Sequence, residues 1–154
     1  MPLFLWVVVG LCYDVAIVGG GIVGCSIARE LARYRLQVIL LEKGSDVASG
    51  SSKANSGIIH AGHHSSAETL KGELEWSGNQ MWDQLHAALG FGFKRVGELT
   101  VAQCGDDLDF LQELKREGDA KGVPGLEMWD RQRIQREEPN LSPHIQAALY
   151  APTS

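Results

Sequence analysis

The chain has 154 residues, 44% hydrophobic and 21% charged, with a formal net charge of -5. That length can bury a core, the composition is that of a globular protein, and the acidic balance without a basic stripe speaks against nucleic-acid partners. Cys12, Cys25 and Cys104 form no CxxC pair, a pattern that fits a reducing compartment and not a disulfide framework.

Met1 to Cys12 is almost wholly apolar and lacks Lys and Arg. It is too short to span a bilayer and has no basic region of the kind that opens a signal peptide. Residues 1–12 are read as an apolar extension, such as a start placed too early. A short added strand or a membrane-touching segment are the other readings.

Val15-Ala16-Ile17-Val18 is a continuous apolar run ending in glycines, the pattern of a strand buried on both faces. Ile22 to Tyr34 has helical spacing, with Ile27, Ala28, Leu31 and Ala32 on one side and Arg29, Glu30 and Arg33 on the other. Val38 to Leu41 is a second buried strand closed by Glu42. Together they predict one βαβ unit.

Gly44 to Ser66 is dense in Gly and Ser and has no helical period, so it is a long loop of the functional kind. Ala67 to Leu89 predicts a helix with an apolar stripe of Leu70, Leu74, Met81, Leu85 and Leu89. Phe93 to Ala102 predicts a strand with Phe93, Leu99 and Val101 on one face. Asp106 is placed to cap a helix carrying Leu108, Leu111 and Leu114, stopped by Gly122 and Pro124. Leu126 to Trp129 reads as a short strand, Asp130 as the cap of a helix ending before Pro139, and Ile145 to Tyr150 as a last strand.

Gly19-Gly20-Gly21-Ile22-Val23-Gly24 fits G-x-G-x-x-G between a strand and an amphipathic helix. In that place Gly19 permits the tight turn, Gly21 lets the backbone approach a pyrophosphate, and Gly24 lets the helix pack close to the strand. Amide N–H groups at the helix start, backed by the helix dipole, suit phosphate. Glu42 stands at the expected distance of about 20 residues from the turn, where a carboxylate accepts from a ribose and repels a 2′-phosphate. A dinucleotide other than NADP follows. The bland readings are a ligand-free turn and a solvated strand-end carboxylate.

The turn does not separate NAD from FAD. The next segment does, because Gly50 to Gly62 stands where a simple NAD domain continues with a helix and a third parallel strand. From here the chain resembles FAD-dependent oxidoreductases of the D-amino-acid-oxidase-like superfamily, in particular the subgroup of glycerol-3-phosphate dehydrogenases and L-2-hydroxyglutarate oxidases. The resemblance is carried by YDVAIVGGGIVG (13–24), LLEK (40–43) and SSKANSGIIHAG (51–62). It continues more weakly through FKRVGELTVA (93–102), GVPGLE (122–127), EEPNLS (137–142) and ALYAPT (148–153).

The resemblance implies an α/β fold: a Rossmann-type FAD-binding βαβ unit followed by the start of an α+β substrate domain. The implied domains are 13–92, the N-terminal part of the FAD-binding domain, and 93–154, the beginning of a substrate domain. It assigns Gly19, Gly20, Gly21, Gly24, Glu42 and Lys43 to the AMP half of FAD. Ser51, Ser52, Asn55, Ser56, Gly57 and Ile58 fall along the pyrophosphate and the flavin, where small hydroxyls and free N–H groups do not crowd a flat ring. Some relatives carry FAD covalently on a histidine whose place is Ala54 here, so non-covalent FAD is expected.

His60 falls on the family's G-x-x-H position near the flavin and is the candidate base for a hydroxyl proton, with a plain structural histidine as the other reading. His63-His64 stands where the subgroup usually carries an aromatic residue or Asp. No carboxylate or cysteine at ligand spacing completes a metal site with these histidines, so none is expected. His86 and His144 carry no motif.

The implied reaction oxidises a small hydroxylated anion, glycerol 3-phosphate or a 2-hydroxy acid, by hydride transfer to flavin. Electrons pass on to a quinone, another carrier or oxygen. The expected location is cytoplasmic or peripheral at the inner membrane. Lys94 and Arg95 are the nearest cations for the substrate anion, but a solvated strand edge explains them equally. Because only two parallel strands are clear, the chain is expected to be the N-terminal part of a longer enzyme. A truncated non-catalytic dinucleotide-binding module and an NAD-dependent protein are the alternatives.

Overall fold

The computed structural model describes residues 12–154, so the extension expected over 1–12 lies, Cys12 apart, outside the described residues. The chain divides into two compact units, Met1–Gly57 and Ile58–Ser154. The first helix of the second unit packs Trp76 into that unit's core.

The first unit is a βαβ motif. Strand β1 (Val15–Val18) leads through the glycine turn into helix α1 (Ile22–Leu31), which returns to strand β2 (Val38–Leu41). The strands are parallel, from Val15 opposite Val38 to Val18 opposite Leu41. Below them the amides of Asp14 and Val15 both donate to the carbonyl of Gln37, whose own N–H donates to Asp14 Oδ2. Helix α1 stops at Leu31 and not at Tyr34, since the amides of Arg33 and Tyr34 turn back onto the carbonyls of Glu30 and Leu31.

Ile17, Gly20 and Gly24 are buried in this unit. Val18 is 85% exposed, and Ile22, Val23, Ile27 and Leu41 are also exposed. The expectation of strands buried on both faces therefore holds for Ile17 and fails for Val18 and Leu41. Two strands and one helix form a single layer pair, and among the described residues nothing covers its apolar side at Val18 and Leu41.

The second unit begins with the His60 loop and helix α2 (Leu70–Leu89). Thr69 Oγ1 accepts from the Gly72 amide at the start, and Gly90 closes the helix in the left-handed conformation at φ 70°. Helix α2 starts later than Ala67 because the Thr69 hydroxyl is bonded to the Ser66 carbonyl in a turn. The predicted apolar stripe faces outward: Leu70, Leu74, Met81 and Leu89 are exposed. The inward side is Gly72, Trp76 and Asn79 at helical spacing. A Cβ on Gly72 would lie 2.0 Å from the Ser66 carbonyl oxygen, so close approach and not side-chain size selects that face.

Strand β3 (Glu98–Ala102), helix α3 (Gly105–Ala120), strand β4 (Glu127–Asp130), helix α4 (Arg131–Glu137) and strand β5 (Ala147–Ala151) follow. The sheet is antiparallel in the order β3-β5-β4. One face of β5 packs Leu149 and Ala151 with Leu111 and Leu114 of α3, Val123 and Leu126. The other packs Ala148 with Trp129, Ile134 of α4 and Ile145.

Several boundaries differ from the sequence reading. Strand β3 opens at Glu98 because Phe93 stacks with Trp82 of α2, their centroids 6.2 Å apart, and so joins an aromatic cluster in place of the sheet. Helix α3 is capped at Cys104, with the Asp107 carboxylate accepting from the amides of Gln103 and Cys104; Asp106 lies inside the first turn. The cap at Asp130 is as expected, its carboxylate accepting from the Arg133 amide at 2.8 Å.

Candidate functional site

In the first unit the glycine turn, the end of β2 and the following loop converge. Gly19 turns at φ 105°, a conformation open to glycine. A Cβ on Gly24 would sit 2.0 Å from the Gly19 carbonyl oxygen, so the helix lies against the strand where only a glycine fits. The buried Gly20 amide donates to Glu42 Oε2 at 2.6 Å, and the Gly44 amide donates to Oε1 at 2.8 Å. These two N–H groups, Gly44 first, hold the Glu42 carboxyl below its ordinary range.

The loop after β2 folds back over the turn. The Ala48 amide donates to the Gly20 carbonyl at 2.8 Å, and Ser52 Oγ accepts from the Ile22 amide at 2.9 Å. Asn55 stiffens the same loop: its Nδ2 donates to the Ser52 carbonyl and its Oδ1 accepts from the Gly57 amide. Lys43, Ser51, Ser56 and Gly57 are exposed. Gly19, Gly21, Ile22, Val23, Gly24 and Ser52 help line a depression of about 300 Å³. Of the expected site residues in this unit, Gly19, Gly20, Gly21, Gly24, Glu42 and Ser52 are brought together.

Ile58 and His60 belong to the second unit. Ile58 is 61% exposed. With His60, Glu75, Asn79 and Trp82 it lines a hollow of about 250 Å³. The His60 carbonyl accepts from Asn79 Nδ2 at 2.8 Å, and the same Nδ2 donates to the Thr153 carbonyl at 2.9 Å. Arg95 donates to Asn79 Oδ1, to the Thr153 carbonyl and to Asp83. The solvated-edge reading of Arg95 is thus corrected: its guanidinium is committed to ordering α2 and the end of β5. Sequence reasoning missed Asn79 as well, for no motif marks an asparagine on a helix.

Two further histidines, His63 and His64, and one carboxylate meet beside His60. His64 Nε2 lies 2.7 Å from Glu98 Oε1 of β3, and the His60 and His64 rings meet edge to face with centroids 5.0 Å apart. The His63 ring is fully buried and has no hydrogen-bond partner on either nitrogen among the described residues. Burial first, then the neighbouring His64, pushes the His63 pKa down to about 4. The Glu98 hydrogen bond raises that of His64. Burial pushes the Glu98 carboxyl up, but the hydrogen bond and charge of His64 outweigh it and leave it low.

A family model described as DAO, FAD dependent oxidoreductase, matches residues 14–154. The chain belongs to this family. Its matches include a glycerol 3-phosphate dehydrogenase of Caloramator mitchellensis, 47% identical over 92% of this chain and 29% of the relative. The human mitochondrial L-2-hydroxyglutarate dehydrogenase is 36% identical over 82% of this chain and 28% of its own length. Among solved structures, dithionite-reduced L-α-glycerophosphate oxidase from Mycoplasma pneumoniae with FAD bound superposes with a TM-score of 0.84. It is 33% identical, over 91% of this chain and 37% of the oxidase. The chain spans about a third of the length of these relatives.

Membership makes FAD the cofactor and sets the NAD reading aside. The residues fit that group on their own geometry. The N-cap of helix α1 is Gly21, which has no side chain to close the terminus; the Ile22 amide meets only the small Ser52 hydroxyl, and a Cβ on Gly21 would come 3.2 Å from Ser52 Oγ. Such a terminus has the N–H groups and the open approach that a pyrophosphate needs. Among the described residues no helix is long and apolar enough to cross a membrane.

Proposed function

We propose that this chain supplies the FAD-anchoring and first active-site elements of an enzyme that oxidises glycerol 3-phosphate at a hydroxyl-bearing carbon. The 47% identity to a glycerol 3-phosphate dehydrogenase carries the choice of substrate. L-2-hydroxyglutarate is the second reading, supported by the 36% identity to the human dehydrogenase. Both substrates are small anions with a secondary hydroxyl, so the same chemistry serves either.

FAD bound non-covalently would supply the hydride acceptor, with a quinone, another carrier or oxygen taking the electrons on. The residues of this chain bind and place. Gly21 and the amides of the α1 terminus, with the Ser52 hydroxyl, hold phosphate oxygens, while Gly20 and Gly24 shape the turn that presents them. Glu42 accepts from the ribose while keeping the turn closed through the Gly20 amide. Lys43, Ser51, Asn55, Ser56, Gly57 and Ile58 complete the wall along the cofactor. His60 takes the hydroxyl proton, since the unprotonated nitrogen of a neutral imidazole accepts one. Its carbonyl is fixed by Asn79, so the ring swings from a stationary backbone. Peripheral contact with the inner membrane is the location that a quinone acceptor would favour, and a cytoplasmic enzyme fits a soluble acceptor.

The test is turnover of the full-length protein with an artificial electron acceptor. Glycerol 3-phosphate should exceed L-2-hydroxyglutarate and glycine in kcat/KM by at least about tenfold, the effect of about 1.4 kcal/mol of differential transition-state binding. Preference for L-2-hydroxyglutarate would transfer the assignment to the second reading.

A further inference from the structure

The loop after His60 and strand β3 direct two imidazoles and a carboxylate at one point. A ring nitrogen of His60, a ring nitrogen of His64 and a carboxylate oxygen of Glu98 all lie within 4.8 Å of one another. In a tetrahedral zinc centre with bonds of about 2.0–2.1 Å the ligand atoms stand about 3.4 Å apart.

The backbones that carry these groups are already fixed. The His60 carbonyl is held by Asn79 and the Ala61 carbonyl accepts from Thr153 Oγ1. Gly62 is wedged against Trp76 and Val123, and Glu98 is paired with Ala151 in the sheet. A second observation points the same way. The fully buried His63 ring aims Nε2 at Glu98 Oε1 from 3.4 Å without forming a hydrogen bond. A buried polar ring with both nitrogens unpaired is rare and calls for a partner.

We infer that His60, His64 and Glu98 form a site for a divalent transition-metal ion, with the unpaired His63 ring packed beside Glu98. Two imidazoles and one carboxylate select a borderline cation such as Zn²⁺ over Mg²⁺, which prefers oxygen ligands and retained water. Three protein ligands leave one position open to solvent or to a substrate oxygen. Binding does not depend on the flavin reading. If His60 is the base proposed above, an occupied site takes its lone pair, and the metal inhibits.

The experiment uses tag-free full-length protein, stripped with a chelator, dialysed against Zn²⁺ or Mg²⁺, and counted for metal and for flavin separately. The site predicts one equivalent of Zn²⁺ and none of Mg²⁺, whatever the flavin content. His64→Ala and Glu98→Gln should each weaken Zn²⁺ at least about tenfold, as loss of ligands or their supports does. His60→Ala changes an exposed side chain, so its fold is secure, and it should weaken Zn²⁺ equally. Absence of stoichiometric Zn²⁺, or unchanged affinity in His60→Ala, overturns the site. Flavin missing while Zn²⁺ is retained would count against the proposed function alone.

Discussion

Glu42 and Gly20, 22 positions apart in the chain, are joined by a 2.6 Å hydrogen bond from the glycine amide to the carboxylate. The acidic residue at the end of β2 therefore braces the glycine turn, in addition to the ribose contact proposed for it. Two losses are expected from Glu42→Ala: a looser turn and a missing acceptor. FAD affinity should fall about tenfold or more, the effect of one charge-assisted hydrogen bond. Glu42→Gln keeps one acceptor oxygen for Gly20 and should fall less. Titration of apoprotein with FAD, followed by flavin fluorescence, ranks the three proteins.

The same pair has a pH signature. The amides of Gly44 and Gly20 hold the folded-state pKa of Glu42 below its unfolded value of 4.5. A depressed carboxylate stabilises the fold above the unfolded pKa, and that contribution disappears as pH falls through the folded one. Below pH 4.5 the turn should loosen and release FAD, and Glu42→Gln should lack this acid-side step. Flavin release measured against pH in both proteins checks the sign.

Gly24 allows no side chain. With a Cβ placed 2.0 Å from the Gly19 carbonyl oxygen, Gly24→Ala must push α1 off β1. Overpacking of this kind costs about 1–3 kcal/mol or more. A lower unfolding midpoint and loss of bound flavin are the expected results, read by thermal unfolding and by the flavin-to-protein ratio.

Asn79 is 2% exposed and bonds the carbonyls of His60 and Thr153 as well as Arg95. Asn79→Ala leaves the His60 carbonyl and one Arg95 N–H without their partner, while Arg95 still holds the Thr153 carbonyl, at a cost of about 1–3 kcal/mol. Since the His60 backbone loses its anchor, kcat should fall more than KM rises. Denaturant unfolding gives the first effect and steady-state kinetics the second.

What the sequence made legible follows from range. The β1–α1–β2 unit is encoded within about 30 residues, and its strands begin and end where the apolar runs do. The glycine turn, Glu42 and Ser52 could be named because each sits in a local pattern. The stripe of α2 misled, because Leu70, Leu74 and Met81 face outward while the inner side is selected by the close approach at Gly72. Phe93 belongs to an aromatic cluster with Trp82 and Phe91, which shortened β3. The carboxylate that meets the histidines, Glu98, lies 34 positions from His64. No spacing rule reaches that far, and only the sheet brings it there. Asn79 and Arg95 were hidden for the same reason.

The proposed flavoenzyme is one that glycerol 3-phosphate reduces. The most direct measurement of that reduction is the visible spectrum of the purified full-length protein before and after anaerobic addition of that substrate. A yellow protein whose flavin bands bleach with glycerol 3-phosphate, and whose flavin is released intact on denaturation, is the predicted result. A colourless protein, or a flavin that stays oxidised with glycerol 3-phosphate while another substrate bleaches it, would contradict the account.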